Sequence, residues 1–260
     1  MMNITLTVKQ LLIINIIFFI GSQLVPVSYD YLALFYPESD NFKGWQLLTH
    51  MFMHAPIYPD NFKYISNITH LLFNMFGLYS FGSALEHFWG GKKFLFFYIS
   101  CGLGAALLHV GVNYYYFHEG INTLTSNNFT KIEILNLLNQ GKIDTKWQEL
   151  MSVSDFENFT SSYFGNVVGA SGALYGLLTA FAFMVPNAEL ALLFFPVPIK
   201  AKYFVPGILA VDLFLGFKGG SVFGAGSTGI AHFAHVGGAL TGFIMMWFWK
   251  KNEFNKNRWN

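Results

Sequence analysis

Long apolar stretches alternate with polar, proline-bearing connections along the chain. Six of these stretches are each about 20 residues long, the length a helix needs to cross the hydrocarbon core of a bilayer. The pattern predicts helices over about 8–25, 66–85, 93–117, 163–185, 201–217 and 229–249. Pro186-Asn187 closes the fourth, Lys250-Lys251 ends the sixth, and Pro206 is expected to bend the start of the fifth. Two long connections remain, 26–65 and 118–162. The first holds WQLLTHMFMH (45–54), an amphipathic piece expected at the membrane interface. The second is polar, contains KIEILNLLNQ, and reads as a small external element. The fold expected is therefore all-α: a polytopic bundle of six transmembrane helices with a partly membrane-inserted first external loop.

Composition agrees with this reading. Residues are 53% hydrophobic and only 11% charged, with a mean hydropathy of +0.42, where a soluble domain carries about 25% charged residues. The net charge of +1 gives no reason to expect a nucleic-acid partner. One cysteine, Cys101, excludes an internal disulfide and a cysteine-based zinc site.

Orientation follows from the basic residues. Nine of the 15 lie on one side of the expected spans: Lys9, Lys92, Lys93, Lys200, Lys202, Lys250, Lys251, Lys256 and Arg258. Six lie on the other, Lys218 and five in the two long loops, which also hold ten of the 14 acidic residues. The first side is read as cytoplasmic, with both termini on it. Residues 1–250 then form one membrane domain carrying the 118–162 insertion, and 251–260 a basic cytoplasmic tail.

Polar groups within a span are costly, and each is a functional hypothesis. Four stand out. His70 and Asn74 lie four apart in the second helix and share a face. Ser171 lies in the fourth and His235 in the sixth. All three helices start on the same external side, which sets these residues at similar depths of roughly 6–12 Å. The stretch GASGALYG (169–176) contains Gly172 and Gly176, and HVGGALTG (235–242) contains Gly238 and Gly242. Both are small-residue patterns that let helix backbones approach closely. A packing seam and a nucleophile thus become compatible, because a tight glycine contact would bring His235 to Ser171. A serine needs an adjacent base to become a nucleophile, and the tetrahedral intermediate of acyl transfer needs donors for its oxyanion. His70, Asn74 and the backbone N–H of Ser171 are the candidates. Asp212, in the oppositely directed fifth span, is read as structural, which leaves a Ser171–His235 dyad as the simplest arrangement.

At these residues the chain resembles the rhomboid intramembrane serine proteases. GASG (169–172) is similar to the family's G-x-S-G motif, with Tyr175 one turn on. AHVGGALTG (234–242) is similar to its A-H-x-x-G-x-x-x-G motif, and HLLFN (70–74) to its H-x-x-x-N motif. His50, His54 and Glu86 also match family positions. The resemblance implies a single six-helix rhomboid-type domain that cleaves transmembrane segments of other membrane proteins near the outer surface. Ser171 and His235 would be catalytic. His70, Asn74 and the Ser171 backbone N–H would stabilise the oxyanion, with Tyr175, Gly169, Gly172, Gly238 and Gly242 in support. It implies no cofactor and no metal, with transmembrane substrates and the lipid bilayer as partners. It also implies a bacterial inner membrane, and makes the fifth span and the 218–228 loop the substrate gate and cap. Two departures stand out: Gln46 follows Trp45 where the family usually has arginine, and 55–69 is longer than the usual spacer.

Other readings compete. A catalytically inactive relative that binds transmembrane helices would be expected to lose the serine or the histidine, and this chain keeps both. A transporter would carry ionisable residues along a path through the bilayer or breaks in two matched halves. His50 and His54 have the i, i+4 spacing of a metal pair, but no carboxylate or cysteine completes a site, so hydrogen bonding is expected of them. His232, three residues before His235, is read as structural.

Overall fold

A computed structural model of the chain describes residues 3–54, 61–192, 195–218 and 230–252. The chain is mostly helical. Helix α1 (Leu6–Leu24) comes first, followed by the short α2 (Ser28–Leu32) and α3 (Gln46–Thr49), the latter running into a 3-10 turn over His50–Phe52. Helix α4 (Asn61–Gly77) passes through a π-turn, Leu78–Gly82, into α5 (Ser83–Trp89). Helix α6 (Gly91–Thr125) leads to α7 (Lys131–Asn139), α8 (Lys146–Leu150) and α9 (Val153–Phe164). Helix α10 (Ser171–Met184) is followed by a hairpin of β1 (Glu189–Leu192) and β2 (Phe195–Lys200), then α11 (Ala201–Lys218) and α12 (Ile230–Asn252). β1 and β2 pair antiparallel, with Glu189 opposite Lys200.

Two of the described helices, α1 and α6, are long and apolar enough to cross a bilayer by length and composition, and α10 is apolar but shorter. Many large apolar side chains on α6, α11 and α12 face outward, among them Phe96, Leu107, Phe214, Phe217, Trp247 and Phe248. In water such a surface would drive association; against lipid chains it costs nothing. The inner faces pack around Phe94, Phe97, Tyr98, Cys101 and Leu177.

The structure redraws two of the expected helices. The fourth is not continuous over 163–185. Helix α9 ends at Phe164, residues 165–168 run extended, with Val167 bridging to Leu34, and α10 begins only at Ser171. The chain leaves the helix at Gly165 (φ −68°, ψ 146°), and Gly169, at φ 119°, a conformation that side-chain-bearing residues rarely adopt, leads it into α10. The third helix overruns its expected end by a further two turns, to Thr125.

That overrun carries the 118–162 insertion, which folds as a small element with its own core. Trp147, Phe159, Ile134 and Leu138 pack on Phe117, Ile121 and Leu124 of α6, and on Tyr36 of the first loop. Its helices are capped in the ordinary way. Thr130 and Glu133 form a capping box on α7, and the Ser152 hydroxyl accepts from the Asp155 N–H at the start of α9. Glu38 ties the first loop to the insertion through Lys131 at 3.1 Å and His118 at 3.3 Å.

The first loop is held by the residue that departs from the family pattern. Gln46 is fully buried. Its Oε1 accepts from the backbone N–H of Lys43 at 3.1 Å and of Phe35 at 3.4 Å, and its Nε2 donates to the Asn41 carbonyl at 2.9 Å. The neutral amide thus ties together three backbone segments of the loop. Glu86, just beyond the second expected span, accepts from Thr5 Oγ1 and from the backbone N–H groups of Thr7 and Val8. It thereby satisfies orphan donors at the N-terminus of α1.

Candidate active site

Helix α10 starts at Ser171, so the serine sits on the first turn of a helix rather than within one. Two consequences follow. Its side chain projects from the end of the helix into a cavity of about 620 Å³ lined by His70, Val168, Asp212 and His235 among others. Its backbone N–H belongs to the set of first-turn donors that has no partner within the helix. Gly169 brings the chain into this turn. Its own N–H donates to the His50 carbonyl at 2.9 Å, and a Cβ there would come within 2.9 Å of His70 Cε1.

The glycine seam is where the sequence placed it. A Cβ on Gly238 would land on the carbonyl oxygen of Gly172. One on Gly242 would lie 2.8 Å from the Gly176 carbonyl oxygen, and one on Gly176 would lie 3.1 Å from that of Gly238. The backbones of α10 and α12 therefore touch over two turns. As a result, His235 on α12 brings Nε2 to 2.9 Å from Ser171 Oγ. Tyr175, one turn along α10, stacks its ring on His235 with centroids 4.3 Å apart and planes 7° apart.

At the other end of the His235 ring lies Asp212, which the sequence marks only as a structural residue. His235 Nδ1 lies 3.3 Å from Asp212 Oδ1, and the same oxygen lies 2.5 Å from His232 Nδ1. Asp212 is buried. The signal was available. Asp212 is the only acidic residue in α11, and a helix rising about 1.5 Å per residue from Ala201 carries it roughly 16 Å, towards the level of Ser171.

The remaining candidates are close by, with differing contacts. His70 and Asn74 line, with Ser171 and His235, a second cavity of about 580 Å³ that opens between α4, α10 and α11. Asn74 directs one amide N–H to the His70 carbonyl at 2.7 Å, so that hydrogen is not aimed at Ser171. His70 packs edge-on against His54, centroids 5.5 Å apart. His54 Nε2 pairs with Asn15 Oδ1 at 3.0 Å, and His50 Nδ1 with the Gln46 carbonyl at 2.9 Å. Both thus hydrogen-bond within the fold, on separate partners. The 218–228 loop, named as a cap, lies outside the described residues except for Lys218 at the end of α11, and 55–60 of the long spacer also lie outside them.

Curated proteins similar to this chain point the same way. It is 28% identical over 150 residues to the mouse presenilin-associated rhomboid-like protein, mitochondrial, covering 53% of this chain and 37% of that protein. It is 25% identical over 182 residues to rhomboid protein 1, mitochondrial, of Saccharomyces cerevisiae, covering 70% and 38%. The chain thus spans less than two-fifths of the length of these relatives. Both relatives are designated mitochondrial, which overturns the expectation of a bacterial inner membrane. The rhomboid domain matches residues 41–252, which is most of the chain and every candidate site residue, and the chain belongs to the rhomboid family.

Proposed function

We propose that this protein is a serine-type intramembrane endopeptidase that cuts transmembrane segments of other membrane proteins near one membrane surface, with Ser171 as nucleophile and His235 as base. The observation that carries this reading is the 2.9 Å approach of His235 Nε2 to Ser171 Oγ at the start of α10. Ser171 Oγ attacks the carbonyl carbon of the scissile peptide while its proton passes to His235 Nε2. The C–N bond then breaks, the proton moves to the leaving amine, and an acyl-enzyme ester remains. Water, deprotonated by the same nitrogen, hydrolyses the ester and restores the serine. The developing oxyanion is met by the Ser171 backbone N–H, by His70 and by the second amide hydrogen of Asn74. Gly169 opens the turn for this group. Gly172, Gly238 and Gly242 hold the two helices together, and Tyr175 supports the His235 ring.

The membrane placement belongs to the same reading. The chain forms one six-span domain over 1–250, with the 118–162 insertion outside, a tail over 251–260, and both termini on the lysine-rich side of a mitochondrial membrane. A helix of 14 residues rises about 21 Å, short of a hydrocarbon core of about 30 Å. With its C-terminal end at the basic surface, α10 leaves Ser171 recessed below the opposite one, at the foot of a water-accessible dip. The two cavities beside Ser171 give a substrate segment room to unwind there. The reaction as written uses only groups of the protein and water.

Reconstituting the protein in liposomes with a single-span reporter tests this. Wild type is expected to release two fragments cut within or at the edge of the span, and Ser171→Ala and His235→Ala to release none. Undiminished cleavage by either variant would reject the assignment.

A further inference from the structure

We propose that Asp212 is a positioning residue for His235, so that the catalytic group is a serine, a histidine and a carboxylate from three helices rather than a dyad. This rests on the reading of Ser171 and His235 given above. For Nε2 of a neutral His235 to accept the serine proton, the ring's own proton must sit on Nδ1. The group that Nδ1 faces is Asp212 Oδ1, at 3.3 Å. A carboxylate there selects the useful tautomer, orients the ring, and stabilises the imidazolium that forms when Ser171 gives up its proton. Around His235 the other facing groups are Ser171 and Tyr175 from α10, His70 from α4 and His232 from its own helix. Asp212 is the one anionic group among them.

His232 has a place in the same arrangement. Its Nδ1–H donates to Asp212 Oδ1 at 2.5 Å, one turn before His235 on α12. The carboxylate is thereby pinned to α12 although it is carried by α11, and its rotamer is fixed at the depth of the nucleophile. The separation from His235 is at the long end of a hydrogen bond, as expected of a site that tightens only when substrate is bound.

The three side chains also have the composition of a metal site, with ligand atoms within 4.8 Å of one another. The spacing favours the hydrogen-bonded reading. Two ligands about 2.0–2.1 Å from a tetrahedral zinc sit more than 3 Å apart, whereas His232 Nδ1 and Asp212 Oδ1 are 2.5 Å apart.

A fluorophosphonate probe that reacts with the serine separates these cases in detergent, because it gives a rate constant for the chemical step (kinact) and a separate binding constant (KI). Asp212→Asn keeps size and an acceptor but removes the charge. We expect its kinact to fall on the order of 10²-fold, with KI and melting temperature as in wild type. His232→Ala should lower kinact less. A wild-type kinact for Asp212→Asn overturns the proposal, as does a fall matched by a collapse in melting temperature, which marks a structural role. A wild-type rate that rises with 1,10-phenanthroline identifies the cluster as a metal site instead. Wild type that never labels at Ser171 removes the nucleophile reading itself, and this assignment with it.

Discussion

The ring of Tyr175 lies flat on the ring of His235, centroids 4.3 Å apart, while the far edge of that imidazole reaches Ser171 Oγ. Tyr175 and Ser171 are one turn apart on α10, so a single helix carries both the hydroxyl that His235 meets and the ring on which that imidazole rests. Aromatic contacts of this kind contribute about 0.5–1.5 kcal/mol beyond burial. Tyr175→Phe should therefore keep most of the cleavage rate, and Tyr175→Ala should lower it roughly tenfold, since 1.4 kcal/mol corresponds to one decade in rate. Reporter cleavage at saturating substrate decides this. Equal activity in all three proteins would show that the stack does not hold the base.

The α10–α12 seam predicts a steep dependence on one methyl group. A Cβ at Gly238 would fall on the Gly172 carbonyl, which is backbone and cannot rotate away. Gly238→Ala should cost about 1–3 kcal/mol and separate Ser171 from His235. A lower melting temperature in detergent and loss of serine labelling are expected together. Gly111→Ala is the control: nothing lies within 4 Å of a Cβ there, and removing a helical glycine should leave stability unchanged or raise it by about 0.5–1 kcal/mol.

Glu86 makes stability depend on pH in a defined direction. Burial raises its pKa, but the hydrogen bonds from Thr5, Thr7 and Val8 outweigh that and hold it below the ordinary carboxylate value. The folded protein thus favours the ionised form. The stabilisation is fully present above the unfolded value of about 4.3, and is lost as pH falls through the lower folded value. Melting curves of wild type and Glu86→Gln should differ by about 1–2 kcal/mol at neutral pH and converge in acid. A constant difference down to strong acid would contradict this role.

The insertion should behave as a cooperative unit. Trp147 is fully buried among Phe159, Phe129 and the C-terminal end of α6. Trp147→Ala should cost about 3–5 kcal/mol. Limited proteolysis would then nick 126–152, where wild type resists. The same core includes Tyr36 of the first loop, so loosening of that loop is expected as well.

Much of this molecule was legible in the sequence, for physical reasons. Apolar length and glycine spacing are strong signals, so α1, α6, α12 and the Gly172–Gly238 contact could be read directly. Matching depths along three helices picked out Ser171, His235, His70 and Asn74 as neighbours. The break before Ser171 could not be read in the same way. YFGNVVGASG has the apolar content of a continuous span, and the extended turn at Gly165, the bridge between Leu34 and Val167 and the positive φ at Gly169 belong to the tertiary structure. The depth count places Asp212 in the same half of the bundle as Ser171, but depth alone does not say which way a side chain points, so only the structure brings its carboxylate to His232 and His235. Gln46 shows a different limit: the sequence marks only its departure from the family's usual arginine, whereas the folded loop uses both the donor and the acceptor of the amide.

The central claim is that Ser171 is made nucleophilic by His235. The most direct measurement is mass-spectrometric mapping of the adduct after the detergent-solubilised protein reacts with a fluorophosphonate. The expected result is one adduct on Ser171 in wild type, lost in Ser171→Ala and strongly reduced in a folded His235→Ala protein. An adduct on any other residue, or undiminished labelling of Ser171 without His235, would contradict the account.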